Sequence, residues 1–438
     1  MLKKFKQHLH QNFPLLEDGK LLIAVSGGID SVVLAHLCSQ LNLNFSLCHC
    51  NFNLRGQESN DDEAYVKELA KNLKVSVYTS SFETEKYATK NKVSIQVAAR
   101  DLRYAWFYEL LENKQYDYVL TAHNTNDNLE TFIINLTRGS GLEGFTGIPP
   151  INNKAVRPLL AFSRDEITLF AIKNEIDWRE DKSNASIKYI RNKVRHKVIP
   201  ILQEINPHVL ESFQNTLEYL NESQSIINDA TKNISQKIVS YEHNLLTLNC
   251  KKLNELPNKK AYLYQLLHTY GFTAWNDVVD LVSGQPGKQV FSKTHRLLKD
   301  RNFLILTTNN QNLTEKGPFL IKETSAEISH PIKLTILNTA DSTPENKHQI
   351  IINKDLVTYP LSLKKWRHGD AMHPTGMTGS KKISQLFKDK KLSLLDKEKI
   401  WLLADAKDRI IWVIGLRQDR RFTADKTATN RLKISFIS

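Results

Sequence analysis

The stretch LLIAVSGGIDS, Leu21 to Ser31, begins as an apolar run and turns abruptly polar at Ser26. A short continuous apolar run is typical of a strand that is buried on both faces of a parallel sheet, and the residues from Ser31 onward are apolar at helical spacing. Gly27 and Gly28 permit a turn in which backbone N–H groups point inward, and a helix N-terminus behind that turn adds partial positive charge. The stretch therefore predicts a strand, a phosphate-binding turn and a helix.

This turn differs from the G-x-x-x-x-G-K-[ST] phosphate loop, because no lysine follows its glycines and Asp30 lies within it. A glycine pair alone also occurs at ordinary strand ends, so the prediction depends on the strand, S-G-G-x-D-S and the helix together. That arrangement resembles the pyrophosphate loop of the ATP pyrophosphatase family, which cleaves ATP between the α and β phosphates. The resemblance implies that Asp30 meets Mg²⁺. It also implies that ATP is bound by the whole loop, Ser26, Gly27, Gly28, Ile29, Asp30 and Ser31.

Length and composition predict a multi-domain globular protein with a basic surface. The chain has 438 residues, 41% of them hydrophobic, and a formal net charge of +13. That length predicts two or three domains, and the charge favours a polyanionic partner, although many basic proteins are merely soluble. Four cysteines without C-x-x-C spacing indicate a reducing cytoplasm rather than a disulfide framework. We expect no membrane association, because no apolar run reaches the length of a membrane span or resembles a secretory signal.

Strand-like runs alternate with helical patterns after the loop. Strands are predicted at Asn44–Cys50, Val75–Thr79 and Tyr118–Ala122. Such alternation predicts an α/β fold with a doubly wound parallel sheet, whose ligands bind beyond the carboxyl ends of the strands. His49 and His123 stand at two of these ends, where a structural histidine and a pocket histidine are about equally expected.

Three domains are predicted along the chain. Residues 1–205 form the doubly wound catalytic domain, residues 206–310 a mostly helical or mixed connector, for which the family resemblance described below implies contact with tRNA, and residues 317–438 a basic α+β domain. The polar segment between the last two domains is typical of a linker.

Local patterns place several elements near the first boundary and in the connector. A basic helix is predicted over Ile187–Ile199 and a long polar helix over His208–Lys237, and Pro200 and Pro207 mark the end of the catalytic domain. A hairpin is predicted from Lys288–Leu298 and Asn302–Thr307.

The C-terminal domain contains a basic group of residues interleaved with tryptophans. A solvated face over a small core explains this mixture about as well as an RNA surface does. The RNA interpretation selects Lys381, Lys382, Arg417, Arg420 and Arg421.

The segment HNTNDNLET, His123 to Thr131, follows a strand and opens a helix. Asp127 and Glu130 are three residues apart and therefore share one helix face. Acids in a first turn also stabilise a helix without any further function. The position of this turn at a strand end that faces the phosphate loop favours a functional site.

Two arginine-containing segments are further candidates. Arg100 and Arg103 lie on an otherwise apolar helix, where arginines usually extend over a core, and the alternative is that Arg103 reaches a nucleotide phosphate or base. Arg191, Arg195 and His196 lie on a helix whose residues divide into an apolar face and a basic face.

Taken in order, these motifs resemble the bacterial tRNA(Ile)-lysidine synthase family. The resemblance covers nearly the whole chain and is weakest in the middle domain. It is carried by SGGIDS, HCNFNLRGQES (His49–Ser59), RDLRYAWF (Arg100–Phe107), TAHNTNDNLET (Thr121–Thr131), RGSGLEGFTGI (Arg138–Ile148), EDKSN (Glu180–Asn184), YIRNKVRHKVIP (Tyr189–Pro200), WRHGDAMHPTGM (Trp366–Met377) and RIIWVIGLRQDRRF (Arg409–Phe422).

The resemblance implies that free L-lysine is ligated to the wobble cytidine of the CAU anticodon of tRNA(Ile) at the expense of ATP. Lysidine would form through an adenylated cytidine with release of AMP and diphosphate, and codon specificity would change from AUG to AUA. The implied pocket for lysine and cytidine contains Asp127, Glu130, Asp181, Arg191 and Arg195, with Asp30 at the metal. Further ATP contacts are implied at Arg103 and His123, and further RNA contacts at Arg100, Arg103 and His196.

This chain departs from the family at two positions and leaves alternatives open. The family often has histidines where this chain has Phe52 and Asn124, so neither side chain can be an essential proton carrier here. A pyrophosphate-loop enzyme that thiolates tRNA is the nearest alternative, and the lack of a C-x-x-C pair argues against it. Amidation of a small molecule would usually bring an ammonia-producing domain, and a non-catalytic RNA-binding protein would not need an intact loop. The oligomeric state stays open, a dimer included.

Overall fold

The computed structural model describes residues 1–180, 190–242, 245–309, 317–341, 343–344, 346, 348–425 and 427–437. They belong to two compact units, Met1–Asp229 and Ala230–Ser438. Within the described ranges, no helix combines the length and the apolar character that crossing a bilayer requires. The predicted domain boundaries at residues 205 and 317 stay predictions.

The first unit is built on a six-stranded sheet with the order β3-β2-β1-β4-β6-β5. All neighbouring strands are parallel except β5, which is antiparallel to β6. The strand order reverses direction between β1 and β4, and the carboxyl ends of strands at such a point form a ligand-binding crevice. The predicted doubly wound parallel sheet is therefore confirmed. Its strands are β1 Leu21–Ala24, β2 Phe45–Asn51, β3 Val77–Ser81, β4 Tyr118–Leu120, β5 Ile151–Asn152 and β6 Ala155–Val156.

Helices cover both faces of this sheet, because successive strand residues point to opposite sides. Leu21 and Ile23 belong to the core that contains helices α2 and α7, whereas Leu22 and Val119 pack with Phe107 of α5. The helices of this unit are α1 Leu2–Asn12, α2 Ile29–Gln40, α3 Gln57–Leu73, α4 Thr84–Asn91, α5 Ile95–Asn113, α6 Thr125–Thr137, α7 Arg164–Lys173, α8 Ile190–Lys193 and α9 Ile199–Ile205.

The predicted end of the basic helix at Ile199 is wrong. Helical structure continues from α8 through a π-helical turn, Val194–Val198, into α9, which carries Pro200 in its first turn. Proline lacks an amide hydrogen but is tolerated where a helix begins, so the irregular turn before it allows the chain to stay helical. The predicted start at Ile187 lies outside the described residues.

The predicted long helix is confirmed as α10, Val209–Ile238, and the boundary between the two units falls within it. A five-stranded antiparallel sheet with the order β7-β8-β11-β10-β9 follows in the second unit. It packs against three short helices around residues such as Leu263, Val278 and Leu297. These elements are β7 Val239–Glu242, β8 Leu245–Asn249, α11 Cys250–Asn254, α12 Lys259–Leu267, α13 Trp275–Val282, β9 Gln289–Phe291, β10 His295–Asp300 and β11 Phe303–Thr308.

The predicted hairpin is wrong in one respect, because its first strand is two strands. β9 and β10 are antiparallel neighbours joined by a turn in which the Ser292 hydroxyl accepts hydrogen bonds from the amides of Thr294 and His295. Serine and threonine side chains favour such turns because they bond to nearby backbone groups. The segment Ser292–Thr294 is therefore the local pattern that indicates a break between two strands.

The rest of the second unit is α+β, as predicted. Two sheets, β12-β16-β19-β20-β21 and β13-β14-β22-β15, share one core that contains Trp412 and Phe422. Besides a short pair, β17 and β18, two helices lie in this region. The elements are β12 Phe319–Ile321, β13 Glu327–Ile328, β14 Lys333–Asn338, β15 Gln349–Asn353, β16 Leu361–Lys364, β17 Ala371–Met372, β18 Lys381–Lys382, α14 Ile383–Asp389, α15 Leu394–Lys399, β19 Leu402–Ala404, β20 Ile410–Val413, β21 Arg417–Gln418 and β22 Arg431–Ile437.

Gly147 allows the loop that follows α6 to pack closely against that helix. Its φ is +82°, and a Cβ placed on it would lie 2.6 Å from Oδ1 of Asn128. The same Oδ1 accepts a hydrogen bond of 2.7 Å from the amide of Ile148. The close approach of loop and helix therefore requires glycine at this position.

We expect Gly147→Ala to lower the free energy of unfolding by about 2–4 kcal/mol, combining left-handed backbone strain with a displaced Asn128. Gly139→Ala is the matched control, since φ there is +70° but no atom lies within 4 Å of the added Cβ. Its cost should be about 1–2 kcal/mol. Urea unfolding of both variants measures the difference, and equal losses would contradict the proposed contact.

Candidate active site

The loop after β1 has the geometry of an anion-binding turn. Gly27 has a φ of +92°, and Gly28 is the N-cap residue of α2. The Ser31 hydroxyl donates to the carbonyl oxygen of Gly28 at 2.9 Å, and the Ser26 amide donates to the Ser31 hydroxyl at 3.2 Å. These bonds hold the turn closed against the first turn of α2, so that amides, hydroxyls and the helix N-terminus lie at one place.

A cavity of about 890 Å³ opens at this loop, beyond the carboxyl ends of β1, β2 and β4. This volume lies within the range of small-molecule sites. Many of the side chains predicted for the site line it, namely Ser26, Gly28, Ile29, Asp30, Ser31, Arg103, His123, Asp127, Arg191, Arg195 and His196.

Asp30 is held from two sides at the base of the cavity. Its Oδ1 accepts a hydrogen bond of 3.0 Å from Asn124 Nδ2, and its Oδ2 lies 3.2 Å from Nη1 of Arg164. Burial raises the pKa of this carboxyl, and the Arg164 charge opposes that rise. Mg²⁺ that arrives with a nucleotide needs only one or two protein carboxylates, so Asp30 fits the predicted metal contact.

Asn124 links the start of α6 to the phosphate loop. It is buried and forms a capping box with Asp127, in which its Oδ1 accepts from the Asp127 amide at 3.0 Å and Asp127 Oδ2 accepts from the Asn124 amide at 3.1 Å. Its Nδ2 is the donor to Asp30. Asn124 therefore orients both carboxylates without carrying a proton.

Glu130 is fully buried and lies between two arginines. Its Oε2 accepts from Arg191 Nε at 2.8 Å, and its Oε1 accepts from Arg195 Nε at 2.5 Å. Asp127 Oδ1 lies 3.3 Å from Arg195 Nη2, and Asp127, unlike Glu130, lines the cavity. Hydrogen bonding to Glu130 is one of the interactions that raise the Arg195 pKa above its ordinary value, although burial opposes them. The shared face of Asp127 and Glu130 is present, but the two carboxylates are not equivalent.

His123 and the β2 cysteines form part of the cavity wall. Burial lowers the His123 pKa to about 4, so its imidazole is neutral at pH 7. Its Nδ1 lies 3.0 Å from the Thr121 hydroxyl. Burial also raises the Cys50 pKa to about 12 and that of Cys48 well above its ordinary value, so neither is a thiolate at pH 7.

Two arginines of α5 lie over aromatic rings, and one of them, Arg103, lines the cavity. The Arg103 guanidinium lies 5.3 Å from the ring centroid of Phe52, which is within cation–π range. Arg100, by contrast, is exposed over Tyr104 on the same helix and does not line the cavity.

The remaining predicted contacts lie elsewhere. Asp181 lies outside the described residues, together with most of the EDKSN motif. In the second unit, Lys382, Arg417 and Arg420 are exposed, whereas Lys381 pairs with Asp389 and Arg421 with Asp419.

Sequence reasoning missed several polar residues of the cavity. Arg164 is the first residue of α7, after its Ser163 cap, and Arg179 directly precedes the EDKSN motif that begins at Glu180. Their approach to the loop depends on the packing of distant segments, and only proximity in the fold reveals it. The missed residues are Arg55, Asp62, Arg164, Trp178 and Arg179.

Three family models match this chain. Residues 1–202 match the family model of a PP-loop domain, residues 240–309 that of the TilS substrate binding domain, and residues 361–434 that of the TilS substrate C-terminal domain.

Whole-length relatives carry one name. The chain is 36% identical to a tRNA(Ile)-lysidine synthase of Parabacteroides distasonis over 100% of both chains, and 36% identical to one of Bacteroides thetaiotaomicron over 96% of this chain and 95% of that protein. A tRNA(Ile)-lysidine synthase of Bacillus subtilis is 28% identical over 95% of this chain and 94% of its own length. The chain belongs to the tRNA(Ile)-lysidine synthase family.

Proposed function

We propose that this chain uses ATP to ligate free L-lysine to the wobble cytidine of the CAU anticodon of tRNA(Ile). The observation that carries the proposal is the meeting, in one cavity, of an anion-binding loop and a cluster of arginines and carboxylates at the neighbouring strand end. The whole-length relationship to tRNA(Ile)-lysidine synthases supports the choice of substrates.

In the first step, the ring carbonyl oxygen of cytosine attacks the α phosphate of ATP and pyrophosphate leaves. The amides and hydroxyls of the loop from Ser26 to Ser31 stabilise the charge that collects on the leaving group. Asp30 and the phosphates would hold Mg²⁺, which supplies further neutralisation when bound. Arg103, over Phe52, is positioned on the cavity wall for a nucleotide phosphate or a base.

In the second step, the ε-amine of lysine forms a bond to the activated ring carbon and AMP leaves with the former carbonyl oxygen. An amine with a pKa of about 10.4 must lose a proton first, which costs about 4.6 kcal/mol at pH 7. We assign Asp127 to the ammonium group and to its proton, because its carboxylate lines the cavity. Glu130 is a positioning residue, because both its oxygens are occupied by Arg191 and Arg195.

The tRNA is proposed to contact basic residues in both units. Arg100, Arg103 and His196 are the candidates in the first unit, and the exposed Lys382, Arg417 and Arg420 are candidates in the second unit. We expect Lys381 and Arg421 to contribute less, since each is already paired with a carboxylate. A cytoplasmic location goes with these substrates.

Thiolation of tRNA is the rival reaction, and the state of the thiols disfavours it. A sulfur-carrying cysteine reacts as the thiolate, and the raised pKa values of Cys48 and Cys50 make that form rare at pH 7.

A single assay tests the proposal. The purified chain is incubated with an isoleucine tRNA transcript carrying a CAU anticodon, ATP, Mg²⁺ and labelled lysine. We expect lysine to enter the tRNA with release of AMP, and a transcript with a UAU anticodon should accept none, because it lacks the wobble cytidine. A folded protein that incorporates no lysine would contradict the proposal, and sulfur incorporation from a sulfide donor would establish the rival.

Asp127 and Glu130 should respond differently to removal of their charge. Asp127→Asn should raise the KM for lysine at least tenfold, roughly the loss of one charge-assisted hydrogen bond, with little change in stability. Glu130→Gln should lower the free energy of unfolding by about 3–5 kcal/mol, because two arginines would lose a buried counterion.

Steady-state kinetics and urea unfolding of both variants check this assignment. A lysine KM that rises in Glu130→Gln at full stability, with Asp127→Asn unaffected, would reverse the two roles.

A further inference from the structure

The phosphate loop contains no cation of its own. Ser26 to Ser31 contribute hydroxyls, amides and the acidic Asp30, yet ATP brings about four negative charges to the site. Among the residues that the structure describes, six arginines and four carboxylates line the cavity. The proposed reaction uses Arg103, Arg191 and Arg195, and Arg164 is paired with Asp30. Arg55 and Arg179 have no role in that scheme.

Arg179 is attached to the loop through its backbone. Its amide donates a hydrogen bond of 3.0 Å to the carbonyl oxygen of Gly27. Its Cβ lies 3.9 Å from where a Cβ on Gly27 would be. The preceding residues are held as well, because the Tyr65 hydroxyl donates to the carbonyl oxygen of Asp177 at 2.5 Å. The Arg179 side chain therefore starts from a fixed point beside the first glycine of the loop.

Asp62 fixes the guanidinium that extends from that point. Its Oδ1 accepts from Arg179 Nε at 2.5 Å, and its Oδ2 accepts from Arg55 Nη2 at 2.7 Å. The Asp62 side chain is only 10% exposed, whereas the Arg179 side chain is 37% exposed. Arg179 Nη2 lies 3.8 Å from an oxygen of the half-buried Asp61, a long and weak pair that a phosphate can displace. One edge of the guanidinium is thus anchored while its outer part faces the cavity.

We propose that Arg179 binds the β- and γ-phosphates of ATP, and that Asp62 and Arg55 position it. This inference rests on the proposed use of ATP. A planar guanidinium matches phosphate oxygens in a bidentate manner, and holding Nε in advance reduces the entropy lost on binding. Because Arg179 adjoins the loop rather than Asp127, its charge acts on the pyrophosphate that departs and not on the AMP that is transferred.

Equilibrium binding to the full chain tests this assignment. The probes are α,β-methylene ATP, pyrophosphate and AMP, each with Mg²⁺. Arg179→Gln should weaken binding of α,β-methylene ATP and of pyrophosphate by about 10- to 100-fold and leave AMP affinity within about twofold. Arg138→Gln is the matched control, since Arg138 is exposed after α6 and does not line the cavity. It should bind all three probes as the unaltered chain does.

The positioning role has its own readout. Asp62→Asn should weaken pyrophosphate binding less than Arg179→Gln does, and the double variant should bind no more weakly than Arg179→Gln alone, because Asp62 acts through Arg179. Urea unfolding of each variant verifies that it is folded at the binding temperature, and Arg179→Lys, which keeps the charge, should recover part of the pyrophosphate affinity.

The binding results distinguish failure of the proposed function from failure of the role of Arg179. If the unaltered chain binds neither α,β-methylene ATP nor pyrophosphate, the proposed function itself fails. If the unaltered chain binds both and Arg179→Gln binds them equally well, or loses AMP to the same extent, the role of Arg179 is overturned while the proposed function stands.

Discussion

The buried carboxylate of Glu130 is the constraint on which the cavity wall depends. Removing a carboxylate from water costs several kcal/mol unless the ion is fully paired, and here both oxygens accept from guanidinium groups. Glu130 lies on α6, while Arg191 and Arg195 lie on the irregular helical segment near residue 195. The ion cluster therefore joins two segments that are distant in sequence and holds Asp127 and the two arginines at one edge of the cavity.

Hydrogen bonds to charged groups also connect the segments that follow the neighbouring strands. Asn124 connects the α6 capping box to Asp30, and Arg164 brings the start of α7 to the same carboxylate. Arg179 connects a third segment to the phosphate loop. Hydrogen bonds to charged groups thus fix the relative positions of the loop, α6 and α7, while the apolar sheet beneath supplies a rigid base. Separate charge-binding regions at the loop and at Asp127 are what a reaction with two successive attacks requires.

The sequence predicted the elements whose signals are local. The apolar run at Leu21 predicted β1, and the S-G-G-x-D-S turn predicted the phosphate loop. Spacing placed Asp127 and Glu130 on one face, but it could not predict that one would be open to the cavity and the other enclosed, because burial depends on the segment that packs above them. Arg179 was missed for the same reason. The end of the basic helix and the first strand of the hairpin were misplaced, because a π-helical turn lets the chain stay helical through Pro200 and a turn at Ser292 divides that strand.

Two successive attacks in one cavity, first by cytosine on ATP and then by lysine on the activated ring, have a specific chemical consequence. If cytosine is activated through its carbonyl oxygen, that oxygen must leave with AMP when the amine of lysine takes its place. A tRNA carrying ¹⁸O at the carbonyl of the wobble cytosine tests this directly by mass spectrometry of the released AMP. The account predicts one ¹⁸O atom in each AMP formed with lysidine, and AMP without the label, alongside lysine-modified tRNA, would contradict it.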